Sequence, residues 1–379
     1  MYKVDTKTYG ELLKRCYNAK SPLYVYGGPG VGKSEIPRQV FTEYAKLMKR
    51  EFLEWTSLSL EQKKATIESP EKYWIFCDQR VGQMDSTDLR GIPNMVNTDM
   101  LECVPMSWVI YFTKPKAAGA IFFDELNLAA PVVAGQAYQI INDRAISDRK
   151  LADDVFVFGA GNRSIDQAHT FEMPFPLRDR FNEFEIYPTT KAWTEWASGK
   201  VNPHLVAFIN WKESYLYKPA KDANNKGSTP RGIVRASHLI NDESITSDTV
   251  HMYISIAVGE AFATEFQAYC KYYQELNWKK ILEDPAIVAK FSVDKLWAVI
   301  GGLAEMFQKM SFSGSELKDH KAQFESMINV FNECPADFAV VGLRMLRDAN
   351  HDKFIKQVKG LKSLNTIIER YGKFIVNVD

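Results

Sequence analysis

The sequence predicts an α/β first half, a parallel sheet with helices on both faces, followed by an all-α second half. Three observations predict it. Short apolar runs alternate with longer segments of helical period up to about residue 190. A glycine-rich stretch stands between the first apolar run and the amphipathic segment after it. From about Thr190 onward helical spacing takes over.

The apolar runs place strands at residues 23–26, 73–76, 120–123, 155–160 and 184–187, each dense in aromatic, β-branched or small apolar residues and short enough to be sheet core. The helix after the first strand puts Ile36, Val40, Tyr44 and Leu47 on one stripe, expected to face the sheet. Pro37 falls about one turn into that helix and predicts a kink, because it deletes a backbone donor. Residues 57–72 are polar and read as an insertion on the outside of the domain. Residues 218–229, which hold Asn224-Asn225-Lys226-Gly227-Ser228, have the composition of an exposed loop. In the second half Val250, Ile254, Val258, Ala261, Phe262 and Phe266 form the stripe of a helix packed on a core.

The bulk composition limits the function classes. A chain of 379 residues is sized for two or three domains. Hydrophobic residues at 46% and charged residues at 25% are ordinary for a chain that folds throughout. The 47 basic residues balance the 47 acidic ones, so no global field draws the protein onto nucleic acid or an anionic membrane. Cys16, Cys77, Cys103, Cys270 and Cys334 are scattered, without the pairing of a zinc site or a disulfide framework, and a reducing cytoplasm is expected. The N-terminal residues form no apolar leader, and no window reaches the roughly 18 apolar residues of a membrane span, so neither secretion nor membrane insertion is expected.

The most specific motif is Gly27-Gly28-Pro29-Gly30-Val31-Gly32-Lys33-Ser34, followed by Glu35. It fits G-x-x-x-x-G-K-[ST] after a strand and before a helix, the context its chemistry requires. Glycines let successive N–H groups curl around an anion, and a helix N-terminus adds partial positive charge. Lys33 is placed to reach the β and γ phosphates of ATP, and the Ser34 hydroxyl to ligate Mg²⁺. A chance match is expected in roughly one chain in a hundred of this length. Downstream, Ile121-Phe122-Phe123-Asp124-Glu125 is an apolar strand ending in two acids. Asp124 suits the Mg²⁺ shell, whereas Glu125 suits the water that attacks; the alternative for the pair is to cap the next helix.

Three further stretches complete the pattern: Val155-Phe156-Val157-Phe158-Gly159-Ala160-Gly161-Asn162, Phe175-Pro176-Leu177-Arg178-Asp179-Arg180-Phe181 and Ser228-Thr229-Pro230-Arg231. With Asp78 to Pro93, Asp124 to Pro131 and Val258 to Phe266, they resemble the MoxR branch of AAA+ ATPases, in the dynein-related group, and its small bacterial and phage-type members. The likeness runs over most of the chain, strongest from Gly27 to Phe181 and loose after about Gln274. The insertion at 57–72, which stretches the spacing from Lys33 to Asp124, and Pro37 are departures.

That resemblance implies a P-loop AAA+ domain over residues 1–190, an all-α lid over 191–275 and a C-terminal helical extension over 276–379. Asn162 is implied as the first sensor, an amide that supplies donor and acceptor at once. Arg180 is implied as the arginine finger, with Arg178 left as the alternative, and Arg231 as the second sensor. A homo-oligomeric ring, commonly a hexamer, is implied, with Arg180 serving a neighbour's ATP, and so is a hairpin within about residues 93–108 that faces the pore or partner. A protein client or a von Willebrand factor A-like partner goes with the group, and with it chaperone-like remodelling driven by ATP turnover to ADP. The other reading is a nucleic-acid motor, helicase or translocase. Against it stand the neutral charge and a stretch, 94–104, that carries acids but no Lys or Arg. A nucleotide-gated scaffold with little hydrolysis is disfavoured because Glu125, Asn162 and Arg180 are all available.

Overall fold

The protein is described from a computed structural model that covers residues 1–94, 96, 102–163, 171, 173, 175–220, 225–241, 243–245, 247–310, 317–358 and 361. It divides into two units, Met1–Tyr187 and Pro188–Asp379. The first is built on seven strands: β1 (Lys3–Asp5), β2 (Leu23–Gly27), β3 (Glu51–Glu54), β4 (Tyr73–Arg80), β5 (Ala118–Asp124), β6 (Asp154–Gly161) and β7 (Asn182–Tyr187). Their order is β1-β7-β2-β6-β5-β4-β3 and every pairing is parallel. All five expected strands are present, each longer than its apolar run. The two that sequence patterning missed, β1 and β3, are the sheet edges. They are three and four residues long and flanked by charge, too short to show a period.

Alternate residues of the central strands supply two different cores. Ile75, Cys77, Ile121, Phe123, Val155 and Val157 join Tyr111, Phe112, Ala137 and Ile141 on one face. On the other, Phe76, Phe122 and Phe158 form an aromatic ladder across β4, β5 and β6, with centroids 6.1 and 4.7 Å apart. Helix α2 (Glu35–Leu47) lies on that ladder through Phe41, which stacks on Trp74 at 4.8 Å. Arg38 of α2 adds ion pairs to Glu54 on β3 and Asp78 on β4 and lies over the Phe76 ring. The helix that follows the glycine loop is thereby fixed to three strands, β3, β4 and β6.

Two expectations for α2 need correction. Its buried face is Pro37, Val40, Phe41 and Ala45, whereas Leu47 is 78% exposed and Ile36 and Tyr44 are half-buried. The aromatic anchor Phe41 rotates the helix away from the aliphatic stripe. Pro37 does not lie a turn inside the helix either: α2 begins at Glu35, so Pro37 stands in the first turn, where a missing N–H costs no intrahelical bond. Residues 57–72 hold a helix, Leu60–Glu68, opened by a capping box between Ser59 and Gln62, a signal legible in the sequence. An antiparallel pair, Ile92–Asn94 with Glu102–Val104, begins one residue before the span expected for a hairpin.

In the second unit, residues from both sides of position 275 share one hydrophobic core. It runs from Trp193 through Phe208, Phe262 and Phe266 to Ile300, Phe331 and Leu346. The expected stripe from Val250 to Phe266 is divided between two helices, Thr249–Val258 and Glu260–Gln274, because Gly259 stands at φ +95° between them, and Ala261 faces outward. A buried polar node crosses this core. His204 bonds Tyr269 at 3.0 Å and Glu305 at 3.1 Å, and Lys309 reaches the same carboxylate at 2.6 Å. The His204 hydrogen bond foremost, with Lys309 beside it, holds the Glu305 carboxyl down to about 2 against the upward push of burial. Among the described residues no helix is long and apolar enough to cross a membrane.

Candidate nucleotide site

The glycine loop leaves β2 at Gly27 and enters α2 at Glu35. Gly30 and Gly32 take φ +72° and +106°, values open to glycine and strained for other residues. A Cβ on Gly32 would also meet Ile36 Cδ1 at 2.9 Å. Lys33 is 9% exposed, and its ammonium is folded into the loop. It donates to the carbonyls of Gly27 (2.7 Å) and Gly28 (3.1 Å) and to Asn162 Oδ1 (2.9 Å). Val31 is buried beneath the loop, Pro29 and Glu35 face outward, and Glu35 accepts a bond from Gln39 one turn on. The Ser34 side chain makes no capping bond to α2.

Sequence reasoning missed the device that fixes the loop from below. The turn that leads into α2 bonds the Ile36 N–H to the Gly32 carbonyl, and the next carbonyl, that of Lys33, meets Pro37, which has no N–H to give. The carbonyl is served instead by the hydroxyl of Tyr9, at 3.0 Å, from helix α1 (Thr6–Ala19). Burial first, and then the charge of Asp124, push the Tyr9 hydroxyl well above its ordinary pKa, so it stays a donor. A proline in the first turn beside a buried tyrosine could have hinted at this, but only the fold brings them together.

Asp124 ends β5, and Glu125 follows at φ +54°. Other non-glycine residues at positive φ, such as Lys20 and Arg144, close helices; Glu125 instead turns the chain out of a core strand. A left-handed residue with a side chain costs about 1–2 kcal/mol. Glu125 forms no side-chain cap, and the helix beyond it, Pro131–Asp143, is capped by Ala130, so the capping alternative does not describe Glu125. Its N–H donates to Asp124 Oδ1 at 2.9 Å. Burial, and next the neighbouring Asp124, raise the pKa of Asp78 on β4 against the pull of Arg38. The Asp124 carboxylate and the Ser34 hydroxyl, which has no cap to make, are hard oxygen donors of the kind that fits Mg²⁺.

Asn162 follows β6, the strand that lies between β2 and β5. Lys33, Asn162 and the two acids therefore stand at the C-terminal ends of three adjacent parallel strands, where open α/β sheets bind ligands. Arg178 is engaged by Glu183 through Nε and Nη2, at 3.1 and 3.0 Å. Arg180 is exposed and has no ion pair among the described residues. Arg231, in the second unit, is exposed in the first turn of the helix Pro230–Leu239, which Thr229 caps. That position sets a cation against the positive end of the helix dipole, a local cost.

No protein-family model matches the chain, and no curated protein matches it in sequence. Among solved structures it is similar to the Holliday junction branch migration motor RuvB of Thermotoga maritima, at 14% identity over 73% of this chain and 75% of that one, with TM-score 0.30. It is similar to the Aeropyrum pernix ORC2 protein in its ADPNP–ADP complexes, at 13% identity over 95% and 84%, with TM-score 0.33. NtrX of Brucella abortus in complex with ADP matches at 11% identity over 96% and 67%, with TM-score 0.28. Scores this low bear neither on family nor on chemistry.

The tyrosine tether yields a test. Tyr9→Phe strands the Lys33 carbonyl and is expected to cost about 1–3 kcal/mol in urea unfolding of the first unit. Pro37→Ala returns a helical N–H to that carbonyl, so the same tyrosine substitution should cost clearly less in the Pro37→Ala background. Equal costs in both backgrounds contradict the tether.

Proposed function

We propose that the chain is a magnesium-dependent ATPase of the AAA+ type, akin to the MoxR group, that works as a homo-oligomeric ring and remodels a protein partner. One observation carries the ATPase reading: the Lys33 ammonium is held within the glycine loop and against Asn162, which follows the strand paired with the one ending in Asp124 and Glu125. The loop N–H groups and Lys33 bind the phosphates, which compete with the Gly27 and Gly28 carbonyls for the same ammonium protons. Ser34 and Asp124 would hold Mg²⁺, which neutralises charge on the β and γ phosphates when bound. Glu125, turned out of the strand by its left-handed backbone, orients the attacking water and accepts its proton. Asn162, once its oxygen is released by Lys33, faces that water from the strand between loop and acids.

Arg180 supports the ring reading. Its neighbour Arg178 is spent on Glu183, whereas Arg180 projects into solvent, available to stabilise transition-state charge in an adjoining subunit. Arg231 is the matching cation on the helical unit. A protein partner is favoured over nucleic acid by the balanced charge and by the strand pair at 92–94 and 102–104, whose exposed side chains include Ile92 and Val104 and no Lys or Arg.

Glu125→Gln is expected to keep ATP binding while turnover falls about a hundredfold or more, measured by phosphate release; undiminished turnover removes Glu125 from the role. For the ring, Arg180→Ala subunits alone should be inactive, and mixing them with inactive Lys33→Ala subunits should restore part of the activity. Mixtures as inactive as either parent would count against a finger that crosses between subunits.

A further inference from the structure

We infer that Asn127 is a positioning residue for Asn162, its carboxamide standing in for a strand that the sheet lacks there. The inference rests on the ATPase reading and names what holds the first sensor in place.

The β6–β5 ladder ends at the pair Gly159 and Phe123, because β5 turns away at Asp124 and Glu125. On the β2 side the ladder continues to Gly161 and Tyr26. The chain at Asn162 thus leaves the sheet with no strand beside it on the side of the acids. Asn127 fills the gap. Its Nδ2 donates to the Asn162 carbonyl at 2.7 Å, and its Oδ1 accepts from the Asn162 N–H at 3.0 Å. One planar amide exchanges both bonds with one residue, the arrangement of a hydrogen-bonded pair in an antiparallel ladder.

The clamp is built rather than incidental. Asn127 is 6% exposed and lies in the 3-10 turn Leu126–Leu128 that begins directly after Glu125, with Leu126 fully buried beside it. The amide crosses Gly161 so closely that a Cβ there would meet Asn127 Oδ1 at 2.6 Å and collide with the Tyr24 hydroxyl. Gly161 is required by that approach. A single turn therefore sets both the left-handed Glu125 and the amide that fixes Asn162, so the residues on either side of the reacting water share one rigid support. With its backbone clamped, the Asn162 side chain is left to exchange its bond to Lys33 for one to water or phosphate.

The test uses the full chain. Amide hydrogen exchange followed by NMR reads the clamp directly: Asn127→Ala should raise exchange at Asn162 by about tenfold or more while Phe158 stays protected. Steady-state ATP turnover reads its use. Asn127→Ala should lower kcat by about tenfold or more with KM for ATP little changed, and in an Asn162→Ala background it should lower kcat no further. Asn127→Asp, which keeps the shape and the acceptor but not the donor, carries the same kcat expectation if the alanine variant does not fold. Equal losses in both backgrounds, a wild-type kcat, or a KM rise at unchanged kcat overturns the positioning role. A wild-type chain that neither binds nor hydrolyses ATP removes the ATPase reading instead. The exchange result then judges the clamp alone, and unchanged protection at Asn162 overturns it.

Discussion

A buried ammonium at the mouth of a parallel sheet is the constraint around which the first unit is arranged. An unpaired charge in so dry a place would be strongly unfavourable. Lys33 is tolerated because two loop carbonyls and the Asn162 amide oxygen receive its protons. Each of those partners must then be held. The carbonyls are held by glycines at positive φ, and the loop is held at its far end by α2. Phe41 on the aromatic ladder and Arg38 between Glu54 and Asp78 hold α2 in turn. Weakening any of these loosens the shell around the charge, so packing far from the loop is coupled to the setting of the ammonium.

The site departs from local backbone preference where the proposed chemistry needs it to. Glu125 carries left-handed strain at the end of a core strand. Pro37 has no N–H to offer the Lys33 carbonyl, and the Tyr9 hydroxyl serves it from another element. Such departures persist because the surroundings over-determine them: central strands buried on both faces leave the chain few other paths.

Much of this was legible in the residues. The glycine loop, the strand ending in two acids and the strand before Asn162 combine a period with a motif, and periods survive in a single sequence. The edge strands β1 and β3 did not show, because three or four residues between charges have no period. The α2 face was misread because one aromatic, Phe41, outweighs a stripe of aliphatics. Asn127 left a faint trace: an amide inside the apolar run Leu126-Asn127-Leu128-Ala129-Ala130 has to find partners once buried. Which partners it finds is a tertiary fact, as is the match of Tyr9 to the carbonyl that Pro37 leaves open.

The most direct measurement is a titration of a fluorescent ATP analogue, with millimolar magnesium, into the wild-type chain and into Lys33→Ala. If the loop and its ammonium gather the triphosphate, the wild type binds saturably and the variant binds about tenfold to a hundredfold more weakly, the loss expected for one charge-assisted contact. Equal affinity in the two proteins, or binding by neither, would contradict the account.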